Sequence, residues 1–266
     1  MRGHMRRFSI LHPLWMAFYD GSIYEDAARH WRNRTFLYLL LLLALTWIPF
    51  TLQTQNQVDE WVSREAPFYI DQVPDLSLSG GELSSSSPRP TLLRDRDGTL
   101  LAVIDPTGQY TSLDDTEAPV LVTRTQIFIR GEGDQVDVTS LPDGPPETLT
   151  REDLYVIADW TRSLVNTLLF PILLVLSYAY RTVQTLLYAY VASFFTASTG
   201  GALPYRTLLN LAIIAITPAV VLDTVHMLME SPLPDWFWWP ACVLLSLGYL
   251  RFGIRVTLDA ERQAAA

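Results

Sequence analysis

Charge is absent from residues 35–52 and crowded into residues 53–161, and this segregation limits what the chain can fold into more than any other feature. The second stretch holds seven Arg against twenty Asp and Glu, so most of the formal net charge of −9 resides there. One globular core in one solvent does not sort its residues this way. Lipid facing one stretch and water facing the other does. An acidic water-facing region also repels phosphate, which argues against a nucleic-acid partner.

The charge-free stretch reads TFLYLLLLLALTWIPFTL from Thr35 to Leu52. As a helix rising ~1.5 Å per residue it covers about 27 Å, close to the hydrocarbon thickness of a bilayer. The leader before it is long, and no small-x-small site follows, so it reads as an uncleaved anchor rather than a signal peptide. Arg29, Arg32 and Arg34 flank its start and acids follow its end, with Trp47 suited to an interfacial belt. The positive-inside rule then places residues 1–34 in the cytoplasm and residues 53–161 outside.

Apolar sequence resumes after Arg162. Residues 163–180 and 182–205 are free of charge, with Arg181 between them. Thr207–Leu222 forms a further run, and Trp236–Leu250 another that opens on WFWWP and ends at Arg251 and Arg255. Residues 163–198 make either one long crossing or two joined at Tyr180-Arg181-Thr182, which offers no Gly or Pro for a turn. Four crossings in total keep Arg206, Arg251, Arg255 and Arg262 on the cytoplasmic side, with Glu230 and Asp235 opposite. Five would reverse the tail against the rule. Four is the expectation, five the alternative, and Gly200-Gly201 is the expected end of the long helix.

The fold class expected is therefore an α-helical membrane protein of about four transmembrane helices, with a small β-rich extracytoplasmic domain between the first and second. The expected divisions are a cytoplasmic leader at 1–34, an anchor at 35–52, the acidic domain and linker at 53–161, a helical bundle at 162–258 and a tail at 259–266. Within the leader, Trp15, Phe18 and Tyr19 can share one face of an interfacial helix with Pro13 in its first turn, the alternative being a loosely ordered tail. Residues 67–140 alternate short apolar runs with turn residues. Asp97-Gly98 and Gly131–Asp134 are hairpin candidates, Ser84–Ser87 before two prolines is a surface loop, and residues 141–150 with three Pro are a linker. Some seventy residues build only a marginal core, so the domain is expected to lean on the membrane helices or on a partner.

The chemistry on offer is sparse. All nineteen basic residues are Arg, which removes lysine chemistry, and Cys242 is the single cysteine, which excludes an internal disulfide and a cysteine metal site. No glycine-rich phosphate loop, G-x-S-x-G or H-E-x-x-H occurs. Asp95-Arg96-Asp97-Gly98 lacks the distal ligand of a calcium loop and reads as a turn, as does Asp105 with Gly108. No catalytic residue, cofactor or metal is assigned, and the chain is expected not to be an enzyme. The remaining candidates are polar residues within apolar sequence. Asp223 and His226 lie three apart on one helical face and suit a proton relay or a cation, or else merely sit at headgroup level. Arg181 suits an anion such as a lipid phosphate, or else snorkels or meets a helix carbonyl. Asn166 and Asn210 suit interhelical hydrogen bonds, and Pro171 and Pro218 suit kinks.

Taken in order, HPLWMAFYD, the first span, APFYIDQVPDLSLSGGEL, TLLAVIDPTGQY, VLVTRTQIFI and PYRTLLNLAIIAITPAVVLDTV resemble a bacterial family of membrane proteins, the domain of unknown function 1189. The likeness covers nearly the whole chain. Some members carry a maltodextrin-utilisation label, but the resemblance implies no activity and no catalytic residue, and no sugar groove of stacked aromatics is visible here. Two functions are compatible with these observations. One is an accessory or scaffold protein of the cytoplasmic membrane, whose outer domain meets an envelope or membrane protein partner. The other is a small-molecule transporter or lipid-handling protein, for which so few spans would require a homo-oligomer.

Overall fold

The computed structural model describes residues 8–31, 34–131, 135–198, 203–229 and 233–265. The chain separates into two compact units, one of residues 1–53 and 167–266 and one of residues 54–166. Among the described residues four helical stretches are long and apolar enough to cross a membrane: Arg34–Ile70, Arg151–Phe194, Tyr205–Leu228 and Trp236–Ala264.

The first unit opens with a single turn, α1 (Pro13–Met16), and the amphipathic α2 (Ser22–His30). The expected leader helix bearing Trp15, Phe18 and Tyr19 on one face does not form, because α1 closes at Met16. Trp15 and Tyr19 are exposed, while the neighbouring Met16 and Ala17 are buried. Nor are the described residues of the leader a loose tail. Ile23, Tyr24 and Ala27 of α2 are wholly buried in the same core as the long apolar helices. Polar atoms that this burial removes from solvent find partners inside. The Tyr24 hydroxyl donates to the Ala17 carbonyl at 2.8 Å, and the Trp31 indole N–H donates to Asp26 Oδ2 at 2.9 Å.

The anchor helix, α3 (Arg34–Glu60), runs on past the expected end at Leu52 through the polar stretch TQNQVDE, then passes through a π-helical turn (Trp61–Glu65) into the short α4 (Ala66–Ile70). Pro49 lies inside it without ending it. α5 (Arg151–Ser198), whose first turns belong to the second unit, is continuous through Tyr180-Arg181-Thr182, so residues 163–198 form one helix and not a hairpin. Pro171 lies within it. The Gly200-Gly201 stop falls outside the described residues, as do Arg32 and Glu230. The third stretch is two helices, α6 (Tyr205–Ala215) and α7 (Thr217–Leu228), joined at Ile216. Pro218 begins α7 rather than kinking a helix, since its missing N–H costs nothing in a first turn. The last helix, α8 (Asp235–Ala265), takes in most of the expected tail.

Leu208 to Ala215 are buried on every side of α6, which makes it the centre of this unit. The apolar part of the third stretch is 67% buried and that of the second 0%, so α5 keeps an uncovered apolar face. Hydrogen bonds tie the helices where side chains have no water to turn to. Thr35 Oγ1 donates to Asn210 Oδ1 at 2.8 Å, Asn210 reaches the Ala27 carbonyl at 3.4 Å, and the hydroxyls of Tyr38 and Thr217 lie 2.8 Å apart. The Trp47 indole donates to Ser177 Oγ at 2.8 Å.

The described residues of the second unit form two sheets. β1 (Leu76–Ser79) and β2 (Glu82–Ser85) form a hairpin on Gly80-Gly81, whose positive φ values of 56° and 73° suit the tight turn. Ser84 and Ser85, expected in a loop, are strand residues paired with β1. The order of this sheet is β2-β1-β8, where β8 (Glu147–Leu149) lies in the expected linker and pairs with β1 through Leu76, Ser77 and Leu78. The larger sheet consists of β3 (Thr91–Arg94), β4 (Leu100–Asp105), β5 (Val120–Thr123), β6 (Gln126–Arg130) and β7 (Val136–Ser140), in that order. The β3–β4 hairpin turns at Asp97-Gly98 as expected, and β6 and β7 pair on either side of the second predicted hairpin turn. Residues 132–134 of that turn lie outside the described residues. The one parallel pair among the described residues, β4 with β5, needs a longer connection, and this loop folds over a core of Val103, Leu113, Ala118 and Leu121.

Asp105 organises that loop. Wholly buried, it accepts from the Thr107 and Gly108 backbone and the Thr107 hydroxyl on one oxygen, and from the Tyr110 backbone on the other. Burial opposes its charge, yet these donors together outweigh it and hold the carboxyl below the ordinary aspartate value. In the same unit α3 and α5 are clasped side by side, with Arg162 paired to Asp59 at 2.6 Å and Asn166 donating to that same carboxylate at 3.3 Å.

Candidate functional site

Arg181, Asp223 and His226 stand on α5 and α7, and the structure brings them together in the first unit. Arg181 lies on a face of α5 that also carries Gln184 and Tyr188, three and seven residues on. Its guanidinium donates to Gln184 Oε1 at 2.8 Å and, through Nη2, to Asp223 Oδ2 at 3.0 Å. Gln184 in turn donates to the Tyr188 hydroxyl at 2.9 Å. The other oxygen of Asp223 accepts from the Trp238 indole N–H of α8 at 3.0 Å. One carboxylate therefore joins three helices, and charge is matched within a hydrogen-bonded chain. This is the condition under which ionised groups tolerate an apolar setting.

The expected Asp223–His226 pair does not form. Asp223 turns to Arg181 and Trp238, while the His226 ring stacks on the Trp238 indole with centroids 4.2 Å apart and planes 11° apart. His226 Nε2 is buried with no hydrogen-bond partner, a state shared among the described residues by the Thr182 hydroxyl. Arg181 neither snorkels nor meets a carbonyl. Its side chain is 15% exposed, against 39% for Asp223, so the carboxylate is the more open member. Beside it lies a cavity of about 260 Å³ bordered by Tyr180, Gln184, Trp238, Trp239 and Cys242.

Chemically this is a clasp with one open side. Both Asp223 oxygens are engaged, so the carboxylate holds α5, α7 and α8 together. A ligand in the cavity would meet aromatic faces, an amide and the edge of an already neutralised ion pair. No group of three or more His, Cys, Asp or Glu suited to a metal occurs among the described residues. Sequence reasoning missed Trp238, Gln184 and Tyr188. The signal for the last two was present, because they share Arg181's helical face. Trp238 was hidden in WFWWP, where an indole in a hydrogen bond looks the same as one at an interface. The asparagines do what their type suggested: Asn210 bridges α2, α3 and α6 residues, and Asn166 takes part in the clasp of the second unit.

Neither a curated protein nor a solved structure matches the chain. A family model does, over residues 11–254, and its description is Protein of unknown function (DUF1189). That match extends from the turn before α1 into α8 and takes in both units, in agreement with the resemblance of the ordered motifs. With nearly its whole length matched, the chain belongs to the DUF1189 family.

Proposed function

We propose that the protein is an accessory or scaffold protein of the cytoplasmic membrane, with residues 1–34 in the cytoplasm, residues 53–161 outside, and no reaction of its own. The side of each segment rests on the distribution of Arg and acids. The observation that carries the function is the open edge of the five-stranded sheet. β7 is its terminal strand, all five of its residues are exposed, and Val136 and Val138 are apolar among them. Such an edge offers unpaired backbone groups to an added strand, while alternate side chains set its specificity. The partner is an envelope or membrane protein that presents an extended segment. A photo-crosslinking residue at Val138 should trap a single protein in native membranes. Converting Val136 to Lys should abolish the adduct without reducing membrane insertion. Adducts to lipid alone, or to many proteins in equal yield, would refute this reading.

A second reading, small-molecule transport or lipid handling, is favoured by the Arg181–Asp223 pair at the side of a cavity. A proton-coupled path through it predicts that reconstituted protein conducts protons into vesicles loaded with a pH-sensitive dye. Asp223→Asn should remove that flux. A flux equal to that of empty vesicles in the wild type would end this reading and leave the first intact.

A further inference from the structure

A groove of about 550 Å³ runs between the last turns of α5 and the second half of α8. Its α5 wall is Val191 and Ala192, and its α8 wall is an apolar row of Leu247, Leu250, Ile254 and Leu258. Along the same wall stand Arg251, Arg255 and Arg262, with Asp259. Arg262 lies 3.5 Å from Asp259. Arg251 and Arg255, one helical turn apart and exposed, have no ion pair or hydrogen bond among the described residues. Gly248 lines the groove, and an added Cβ there would meet nothing within 4 Å.

From this geometry we infer that the groove is a binding site for an anionic phospholipid, with its phosphate on Arg251 and Arg255 and an acyl chain against the Leu247–Ile254 wall and α5. The inference rests on the helices spanning a membrane and not on the proposed scaffold role. Charge gives the first argument: three guanidinia and one carboxylate line the groove, two of the guanidinia are uncommitted, and guanidinium is matched to phosphate oxygens. Continuity gives the second. The cationic and apolar residues share one wall, so a free phosphate would use half of it, whereas a lipid uses both halves. Position gives the third. Arg251 lies thirteen residues beyond Trp238, about 20 Å along the helix, and Arg255 about 26 Å. With the tryptophans in one interface, the two guanidinia approach the other headgroup layer of a ~30 Å hydrocarbon core.

The test uses the full chain, purified in mild detergent and offered equal amounts of phosphatidylglycerol and phosphatidylcholine, with retained lipid read by native mass spectrometry. The wild type should keep phosphatidylglycerol at least tenfold over phosphatidylcholine, at one molecule per chain. Two variants separate charge from shape. Arg251→Gln with Arg255→Gln should erase the preference. Gly248→Phe, which leaves every charge in place, should prevent retention by filling the groove. Both alter exposed positions, and a melting temperature within a few degrees of wild type checks that they fold. Equal retention of the two lipids by the wild type overturns the inference. So does full retention by Gly248→Phe, which would place the lipid elsewhere. Displacement of the lipid by millimolar inorganic phosphate would assign the guanidinia to a soluble anion and overturn it as well.

Discussion

The close approach of α2 to α8 sets up a contest between two opposing effects at Gly253. A Cβ on Gly253 would lie 2.5 Å from Cδ1 of Tyr24 and 3.1 Å from its Cε1. The ring cannot swing aside, because it is wholly buried, its hydroxyl is tethered to the Ala17 carbonyl, and Phe252 packs edge-on against it at 5.6 Å. On helix propensity alone Gly253→Ala should stabilise the chain by about 1 kcal/mol. Forcing a methyl into a filled core costs about 1–3 kcal/mol, and displacing the ring puts the Tyr24 hydrogen bond at risk for about another 1 kcal/mol. Packing wins, and the net expectation is a loss of about 1–3 kcal/mol. Reversible unfolding of the full chain in mixed micelles, titrated with a denaturing detergent, measures it. The decisive comparison is the same substitution in a Tyr24→Ala background. That background is itself weakened by about 3–5 kcal/mol through its cavity, but there Gly253→Ala meets no ring and should recover roughly 1 kcal/mol. If Gly253→Ala stabilises the unmodified chain, or has the same effect in both backgrounds, the contact does not govern this interface.

Three other outcomes follow from the same physics. Asp223→Leu leaves Arg181 without its counter-ion and should cost about 1–3 kcal/mol, discounted for the open side of the carboxylate. Adding Arg181→Leu should recover part of that loss, so a double variant less stable than Asp223→Leu would contradict the clasp. Asn210→Leu severs its bonds to Thr35 and Ala27 and should cost about 1–2 kcal/mol, after which Thr35→Val should add little in the same denaturation assay. Asp105→Ala removes the acceptor for three backbone amides and should cost about 2–4 kcal/mol in its unit, seen as lost hydrogen-exchange protection at Thr107, Gly108 and Tyr110. Because the folded state holds the Asp105 carboxyl below its ordinary value of 3.8, its contribution is complete above that pH. It should fade as acid protonates the folded form, whereas loss of protection already at pH 6 would point to another group.

How much of this was legible in the residues depended on the range of the physics involved. The four long apolar helices were legible because lipid imposes one rule on every residue of a span, and a window of residues sums it. The Asp97-Gly98 hairpin was legible for the opposite reason: its turn is settled by two residues and one positive φ, here 86° at Gly98. Between those extremes the reading failed. β8 lies in a stretch with three prolines that looked like a linker, and only the distant β1, some seventy residues earlier, makes Glu147–Leu149 a strand. Ser84 and Ser85 looked like a loop for the same reason, since their composition is poor for a strand and their pairing with Leu76 and Ser77 supplies what propensity lacks. In the leader, the burial of Tyr24 and Trp31 against protein was not legible, because a buried aromatic and an interfacial one have the same composition. At the candidate site, Arg181 and Asp223 were visible singly, as charges where charge is expensive. Their partnership was not, because it joins residues forty-two apart through the relative rotation of two helices, a quantity no local window contains. A charge isolated in apolar sequence thus announces that a partner exists, and the helix packing decides which one. Here Asp223 takes the distant Arg181 and the indole of Trp238, and leaves His226, one turn away on its own helix, stacked and unpaired.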